Sequence, residues 1–364
     1  MPSKERPAPV AKAKKTKRKA IEIGGVTVEA GQREVIDLSI PDLYMHTSLT
    51  IPVQVVHGKN EGPTLFVCAA IHGDEINGVE IIRRLMKSKR INRIKGTLLA
   101  VPVVNVYGFI DKSRYLPDRR DLNRAFPGSE TGSLAARLSH VFFNEIAAKS
   151  THGIDLHTAA IHRDNLPQIR AYLDDDETKR MAEAFSVPVI LNTPILEGSM
   201  REALEKMDIS VIVYEAGEAL RFNEVAIRAG VKGIVSVMRA IGMLPKLKSP
   251  KRSITTLTCK SSTWVRAPQS GILRSLIPLG KVVEKDQIMG VVADPFGEKE
   301  EEVIATTSGI VVGRTNIPLV NEGEALFHIA RYKETDTATD SVEVFQQEMD
   351  PDSDPKPPSE PPIV

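Results

Sequence analysis

The sequence predicts an α/β sandwich with a mainly parallel sheet, followed by a small all-β domain. Between residues 64 and 241, apolar runs of strand length alternate with stretches that have the apolar spacing of amphipathic helices. Alternation of this kind is typical of a largely parallel sheet covered by helices. After Pro245 the helical patterns stop, and short β-type runs separated by glycines follow. With 364 residues, of which 41% are hydrophobic, the chain is long enough for one large or two ordinary domains.

The elements of the α/β part follow in order from this pattern. Residues 21–56 contain β-rich runs that lead into the sheet. The later strands are predicted at 64–71, 97–103, 153–156, 187–191 and 210–215. The helices are predicted at 77–88, 133–149, 176–185, 199–207 and 222–241. We therefore assign this part to residues 21–245.

The all-β part is assigned to residues 262–331, after a linker at 246–261 whose first residues are basic and contain Pro250. The runs that begin at Ala267 and Ala305 are near-repeats, which suggests two related halves of a barrel or sandwich. This part resembles the biotinyl/lipoyl type of hybrid barrel, a barrel-sandwich-like fold. Carrier domains of that type modify a lysine on an exposed hairpin. The setting around Lys299 lacks their usual neighbours, so we expect a structural or lid role.

Both ends of the chain have the composition of charged tails. Residues 1–20 carry eight Lys and Arg against one Glu, and residues 333–364 carry nine Asp and Glu against two Lys. The second stretch is also rich in proline. Such segments bury too little apolar surface to offset the entropy of the chain. We expect a basic disordered tail at 1–20 and an acidic disordered tail at 332–364.

Composition also narrows the class of partner. The basic arm lacks aromatic residues and a folded platform, so neither nucleic acid nor a membrane surface is expected as a partner. No apolar run approaches the ~18 residues of a membrane-spanning helix, and no secretory signal follows the arm. Cys68 and Cys259 are far apart and form no CxxC motif, which argues against a disulfide framework or a thiolate metal site. We expect a cytoplasmic protein, and the chain is compatible with a homo-oligomer.

Three apolar runs each end in side chains that can bind a metal. His72 and Glu75 follow the run 64–71, His157 ends the run 153–156, and Glu215 ends the run 210–215. Two His and one Glu form a known ligand set of catalytic zinc, and a second carboxylate beside the metal-activated water can serve as general base. Any one of these residues alone is more common in a purely structural role. Their shared placement at strand ends favours a metal site.

A charged loop lies between the first and second of these apolar runs. Residues 114–128 contain two prolines and end in a glycine, and within them Asn123 and Arg124 offer an amide donor beside a guanidinium fork. A guanidinium of this kind suits a substrate carboxylate. A solvated basic loop is the alternative.

Four motifs in this order resemble the succinylglutamate desuccinylase/aspartoacylase family of zinc deacylases, relatives of the metallocarboxypeptidases. The motifs are His72-Gly73-Asp74-Glu75, the run Asp121 to Gly128, Asp155-Leu156-His157-Thr158 and Tyr214-Glu215-Ala216-Gly217. The resemblance covers about residues 45–245. It implies a carboxypeptidase-like αβα fold with a mixed sheet.

The resemblance also implies roles for individual residues. His72, Glu75 and His157 would bind one Zn²⁺ per chain, and Glu215 would be the general base. Asn123 and Arg124 would hold a substrate carboxylate. The family has a further arginine that stabilises the oxyanion, and the candidates here are Arg114, Arg119 and Arg120, with Arg114 preferred for its Arg-Tyr pair.

The expected activity is hydrolysis of the amide bond in a small N-acyl amino acid or a similar compound. A metallocarboxypeptidase acting on short peptides would use the same motifs. A β domain that caps the cleft at residues 262–331 would exclude polypeptides and so favour the small substrate. A non-catalytic protein that binds zinc or a ligand is a third possibility, although such a protein has no need of Glu215.

Overall fold

The computed structural model describes residues 18–42, 44–247, 255–332 and 338–350. The strands are β1 (Ile21–Ile23), β2 (Val26–Val28), β3 (Arg33–Ser39), β4 (Thr50–His57), β5 (Thr64–Ala69), β6 (Thr97–Val101), β7 (His152–Ala159), β8 (Arg163–Ala171), β9 (Val189–Asn192), β10 (Ser210–Glu218), β11 (Leu257–Cys259), β12 (Ser261–Arg266), β13 (Gly271–Ser275), β14 (Val282–Val283), β15 (Ile288–Ala293), β16 (Glu300–Ile304), β17 (Gly309–Thr315), β18 (Leu319–Val320) and β19 (Ala325–Arg331). The helices are α1 (Asn77–Lys87), α2 (Val106–Asp111), α3 (Leu134–Phe142), α4 (Asp176–Phe185), α5 (Met200–Glu205), α6 (Glu224–Ala240) and α7 (Ala338–Met349). Short 3-10 turns lie at Ile91–Arg93 and Leu122–Arg124, and a π-helical turn at Phe143–Ala147 continues α3.

One large mixed sheet organises the described chain. Its strand order is β12-β19-β17-β8-β10-β7-β5-β6-β4-β3. At its centre β10, β7, β5 and β6 are parallel neighbours, whereas β8 and β4 run antiparallel to this group. The mixed sheet that the resemblance implied is confirmed. The mainly parallel sheet expected from the alternation of strands and helices is wrong for the sheet as a whole, because the strands on both sides of the centre pair antiparallel. The four central strands point their carboxyl ends towards one edge.

Helices cover both faces of the parallel centre. Helices α1, α4 and α6 pack on one face, where Leu85, Phe185 and Ile234 are buried in a single apolar cluster. Helices α3 and α5 cover the other face with Phe142 and Leu204. Their apolar residues recur at helical spacing, so each helix buries one stripe against the sheet. The result is the αβα sandwich that the resemblance implied.

Strand β8 has no counterpart among the predicted elements. It contains Pro167, which cannot donate a backbone hydrogen bond and argues against a strand inside a sheet. At Pro167 the partner of β8 changes along one edge of the strand, and the register with the partner shifts along the other edge. Residues up to Asn165 pair with β17, residues from Gln168 pair with β9, and the register with β10 shifts between these two positions. Pro167 lacks a backbone N–H donor and is tolerated at this position because the regular pairing is interrupted there.

The C-terminal part is all-β, as predicted, and continues the main sheet. Strands β13, β15, β16 and β18 form a second, four-stranded sheet, and an apolar core that includes Val265, Met289 and Phe327 lies between the layers. The two near-repeats begin β13 and β17. Strand β17 pairs with β8, so the all-β part extends the α/β sheet. Within the predicted linker, Leu257–Cys259 form β11, which pairs with β9.

The ends of the chain differ in part from the prediction. The predicted disorder of residues 332–364 is wrong for Ala338–Met349, which form α7. Val342, Phe345 and Met349 are spaced to form one apolar face of that helix, and all three are buried. This helix also contradicts the expectation that none follows Pro245. At the other end, Arg18 donates a hydrogen bond of 2.7 Å to the Gly96 carbonyl oxygen.

The remaining parts of both predicted tails, residues 1–17, 333–337 and 351–364, lie outside the described residues. Among the residues that are described, no helix has the length and apolar character needed to cross a membrane.

Candidate metal centre and active-site cleft

The carboxyl ends of β5, β7 and β10 bring the predicted ligands together. Strand β7 lies between β5 and β10 and is parallel to both. Glu215 on β10 lies directly opposite His157 on β7. His72 and Glu75 lie in the turn that connects β5 to α1. The three segments singled out in the sequence therefore meet at one edge of the sheet.

The turn after β5 approaches the backbone of α2 closely at Gly73. A Cβ atom built on Gly73 would lie 2.0 Å from the carbonyl carbon of Gly108. Any other residue would push the turn away from α2. Gly73 therefore allows the turn to hold His72 and Glu75 in place.

Glu75 lies between the two histidines. Its Oε1 is 2.7 Å from His72 Nδ1, and its Oε2 is 2.7 Å from His157 Nδ1. The backbone N–H of Thr158 also donates to Oε2 at 3.1 Å. One ligand atom from each of His72, Glu75 and His157 lies within 4.8 Å of the others, and all three residues are buried. This is an N, N, O donor set of the kind that zinc uses.

Each histidine ring is oriented by a carboxylate that contacts the ring nitrogen facing away from Glu75. Asp155 Oδ2 accepts a hydrogen bond of 2.7 Å from His157 Nε2, and Asp121 Oδ1 is 3.2 Å from His72 Nε2. With Nε2 bound in this way, Nδ1 of each ring is directed at the centre. Carboxylate–histidine pairs of this type are usual around protein metal sites, where they fix the ring and raise its basicity.

Electrostatics at the centre favour a cation. Burial alone would raise the pKa of Glu75, but the charges and hydrogen bonds of His72 and His157 outweigh burial and hold that pKa well below its usual range. Burial would lower the pKa of His157, but Asp155 and Glu75 raise it well above the ordinary value. The carboxylates thus draw positive charge to the ring nitrogens. A divalent metal ion held by His72, Glu75 and His157 would supply that charge, so the residues fit zinc.

Arg114 borders the candidate metal centre. Its Nη1 donates to Glu75 Oε1 at 3.3 Å and its Nη2 to Asp121 Oδ2 at 3.0 Å. The other two candidates for the oxyanion arginine, Arg119 and Arg120, are exposed on the same loop. Arg114 is the one of the three that lines the cleft.

Asn123 and Arg124 line the same cleft, which has a volume of about 240 Å³. Asn123 Oδ1 accepts a hydrogen bond of 3.1 Å from the backbone N–H of Met200 at the start of α5. Arg124 is exposed, and its Nη1 donates to the Asn123 carbonyl oxygen at 2.6 Å. Helix α5 thus fixes the amide of Asn123, and the guanidinium of Arg124 lies at the mouth of the cleft.

Glu215 faces the cleft opposite the histidines and has two different neighbours. Its Oε2 accepts a hydrogen bond of 2.9 Å from Asn165 Nδ2. Its Oε1 is 3.6 Å from Arg170 Nε. Both neighbours belong to β8, the strand missing from the sequence prediction, which is why sequence reasoning missed them.

Three further arginines extend the cationic wall of the cleft beyond the predicted residues: Arg163, Arg170 and Arg201. Burial, and then the charge of Arg170, lower the pKa of Arg201. Arg163 and Arg170 begin and nearly end β8. Nothing in the local sequence marked them. Asp155, in contrast, could have been found from the sequence. It lies two residues before His157 on the same strand, and this spacing places both side chains on one face.

The C-terminal part contributes Trp264 to the cleft wall. The indole stacks on the His328 ring at 4.6 Å between centroids, and the Arg163 guanidinium lies 5.2 Å from the indole centroid. Burial, together with the charge of Arg170, lowers the pKa of His328 to about 4, so this ring is neutral at pH 7. Strand β12 therefore supplies an aromatic side chain to the cleft wall.

Known proteins match both the sequence and the fold. A model of the succinylglutamate desuccinylase/aspartoacylase catalytic domain matches residues 61–241. The N-alpha-acetyl-L-2,4-diaminobutyric acid deacetylase of Halomonas elongata is 26% identical over 300 residues, which cover 79% of this chain and 87% of the relative. The catalytic-domain match contains all four motifs on which the sequence resemblance rests.

Solved structures have the same fold over most of the chain. The product-bound ectoine utilization protein EutE (DoeB) from Ruegeria pomeroyi has a TM-score of 0.75 and 23% identity, and the match covers 86% of this chain and 96% of the other. A succinylglutamate desuccinylase/aspartoacylase from Rhodobacter sphaeroides has a TM-score of 0.74 and 23% identity, with 87% and 97% covered. From the catalytic-domain match, the deacetylase relative and the shared fold, we conclude that this chain belongs to the succinylglutamate desuccinylase/aspartoacylase family.

Proposed function

We propose that this protein is a zinc-dependent deacylase that hydrolyses the amide bond of a small N-acyl amino acid or a similar compound. Membership in a family of deacylases supports hydrolysis of an amide bond. The observation that carries the proposal is the pairing of a buried His72–Glu75–His157 centre with Glu215 directly opposite His157 in one cleft.

His72, Glu75 and His157 would hold one zinc ion. Zinc bound there would lower the pKa of a water molecule and polarise the substrate carbonyl. The outer carboxylates Asp121 and Asp155 keep the ring nitrogens directed at the ion, a role that such groups have in other metal sites.

Glu215 would move the proton. The attacking water gives a proton to the Glu215 carboxylate while its oxygen bonds to the acyl carbon. When the C–N bond breaks, the same carboxyl group returns the proton to the amine nitrogen. Arg114, whose guanidinium borders the metal centre, would oppose the negative charge that develops on the carbonyl oxygen.

The cationic wall supports a substrate that carries a carboxylate. Asn123 and Arg124 would bind that group by an amide donor and a guanidinium fork. Trp264 of the C-terminal part lines the cleft, and a wall contributed by that part supports a small substrate. A carboxypeptidase that acts on short peptides is the alternative with the same residues.

The test combines metal analysis with a substrate screen. Purified protein is analysed for zinc and assayed with N-acetyl, N-succinyl and N-formyl amino acids and with short peptides, and the acetylated diamino acid of the Halomonas relative is included. We expect about one zinc per chain, faster hydrolysis of N-acyl amino acids than of peptides, and a sharp loss of zinc in His72→Ala. Full zinc occupancy in His72→Ala would contradict the ligand assignment.

Glu215→Gln tests the base. We expect it to retain zinc and to lose about 10²-fold or more in kcat, the range for removal of a general base. Glu218→Gln is the matched control, because Glu218 lies on the same strand but accepts hydrogen bonds from His162 N–H and Asn316. Normal turnover in Glu215→Gln would show that another group moves the proton.

A further inference from the structure

Asn165 is the sole described side chain that donates a hydrogen bond to Glu215, and it reaches Glu215 from an adjacent strand. Strands β8 and β10 are antiparallel, and their register shifts between the position of Glu215 and that of Gly217, which lies opposite Asn165. This shift brings the two side chains side by side in the cleft, where Asn165 Nδ2 is 2.9 Å from Glu215 Oε2. Asn165 is only 7% exposed, so the contact is sheltered from water.

The contact makes the two oxygens of Glu215 unequal. Oε2 is bound to the amide, whereas the closest cation to Oε1 is Arg170 Nε at 3.6 Å, beyond hydrogen-bond distance. The carboxylate also fixes the orientation of the amide, because only the NH₂ group can donate to it. Oε1 is therefore the oxygen left to exchange a proton with water.

The far side of the Asn165 amide rests against the C-terminal part. Strand β17 pairs with β8, with Gly313 opposite Asn165. A Cβ atom built on Gly313 would lie 2.9 Å from Asn165 Oδ1, closer than real Cβ atoms come to their neighbours. The φ angle of Gly313 lies outside the left-handed region, so its backbone does not require glycine. Glycine at position 313 is explained instead by the space that the Asn165 amide occupies.

A second contact holds the two strands in this register. Gln168, whose Cα lies opposite that of Glu215, donates from Nε2 to the Val312 carbonyl oxygen at 3.2 Å. Strand β17 is thus fixed to β8 on both sides of Pro167.

We propose that Asn165 is a positioning residue for the general base Glu215, and that Gly313 of the C-terminal β part leaves the space in which the Asn165 amide lies. This inference rests on the proposed function, since it assigns Asn165 a role through Glu215. Asn165 holds Oε2 so that Oε1 faces the reacting water. The C-terminal part therefore contributes to proton transfer as well as to the cleft wall.

The test is a double-mutant cycle with Asn165→Ala, Gly313→Ala and the double variant, assayed with the best N-acyl amino acid from the screen. We expect Asn165→Ala to lower kcat by about ten-fold or more, the loss expected for a hydrogen bond to a charged group, with little change in KM or zinc content. Gly313→Ala should lower kcat in the same way because its methyl group displaces the amide. The double variant should be no slower than Asn165→Ala alone, since the displaced group is gone.

Asn316→Ala is the matched control. It removes another asparagine–glutamate hydrogen bond to β10, from Asn316 Nδ2 to Glu218 Oε2 at 3.0 Å, at an exposed position. We expect its kcat to be unchanged. Should Asn165→Ala fold poorly, Asn165→Leu gives the same test, because it keeps the approximate size of the side chain, loses the donor and adds no charge beside Glu215.

The outcomes separate this inference from the proposed function. A normal kcat in Asn165→Ala together with an inactive Glu215→Gln would overturn the positioning role alone. An increase in KM at constant kcat would also overturn it, since that result indicates a substrate contact. Additive losses in the double variant would overturn the role of Gly313. Full activity of Glu215→Gln would instead remove the general base from the proposed function.

Discussion

Asp155 and His157 lie two residues apart on β7, and the Asp155 carboxylate binds His157 Nε2 at 2.7 Å. The alternation of a strand places both side chains on one face. Asp155 also accepts a hydrogen bond from Cys68 Sγ at 3.4 Å. The ring is thereby held with Nδ1 towards Glu75, the geometry that a metal ion at the centre requires.

We expect Asp155→Asn to weaken zinc binding by about 10- to 100-fold, because the ring loses the carboxylate that orients it and raises its basicity. Competition with a chelator of known affinity measures the change. Asp176→Asn, an exposed position at the start of α4, is the control and should bind zinc as the wild type does. Unchanged affinity in Asp155→Asn would mean that the β7 backbone alone orients His157.

Arg124→Ala should reduce kcat/KM about ten- to 150-fold for substrates that carry a carboxylate, since it removes a charge-assisted contact of roughly 1.5–3 kcal/mol. A neutral N-acyl amide or ester should lose much less. Arg120→Ala removes an exposed arginine of the same loop and serves as control. Equal losses on charged and neutral substrates would show that Arg124 acts on the fold or on the oxyanion.

Phe345→Ala should lower the free energy of unfolding by about 3–5 kcal/mol, because the ring is fully buried where α7 packs into the main core. Urea denaturation monitored by circular dichroism gives the value. Val344→Ala, on the exposed side of the same helix, should change it little. Equal stability of the two variants would contradict the packing of α7.

Asp164 should make stability depend on pH. Burial, opposed by Arg314 and assisted by Glu218, raises the pKa of this carboxyl from 3.8 to about 6. Between these two values the folded state holds a proton that the unfolded state has lost, so the free energy of unfolding falls as pH rises through that window. Asp164→Asn should remove this fall and be more stable at pH 7, by about 1–3 kcal/mol. Parallel pH profiles of stability for variant and wild type would contradict this prediction.

Elements of the fold could be predicted from the sequence where the local apolar pattern of an element agrees with its burial in the structure. Helix α4 has the predicted bounds because Asp175 caps it, with the side chain accepting from Thr178 N–H, and an amphipathic run follows. Helix α7 was missed because its apolar stripe lies within an acidic stretch whose overall composition is that of a disordered tail.

The site residues likewise divide into those that the local sequence pattern predicts and those that it does not. His72, Glu75, His157 and Glu215 follow apolar runs, and the parallel strands bring them together. Asn165 and Arg170 depend on β8, whose partners lie on either side of a proline. Only the pairing of β8 with both β10 and β17 reveals that these residues face the cleft.

The continuity of the sheet through β17 sets an order for folding. The Gln168 side chain finds its partner, the Val312 carbonyl oxygen, 144 residues further along the chain. During synthesis the part of β8 that precedes Pro167 therefore keeps an open backbone edge until β17 has emerged, and open edges of this kind invite pairing with other chains. Contacts so distant in sequence also slow folding, because a long loop must close before they form. A chain that stops before β17 would retain every proposed metal ligand and still present that edge to its neighbours, so premature termination should produce aggregates.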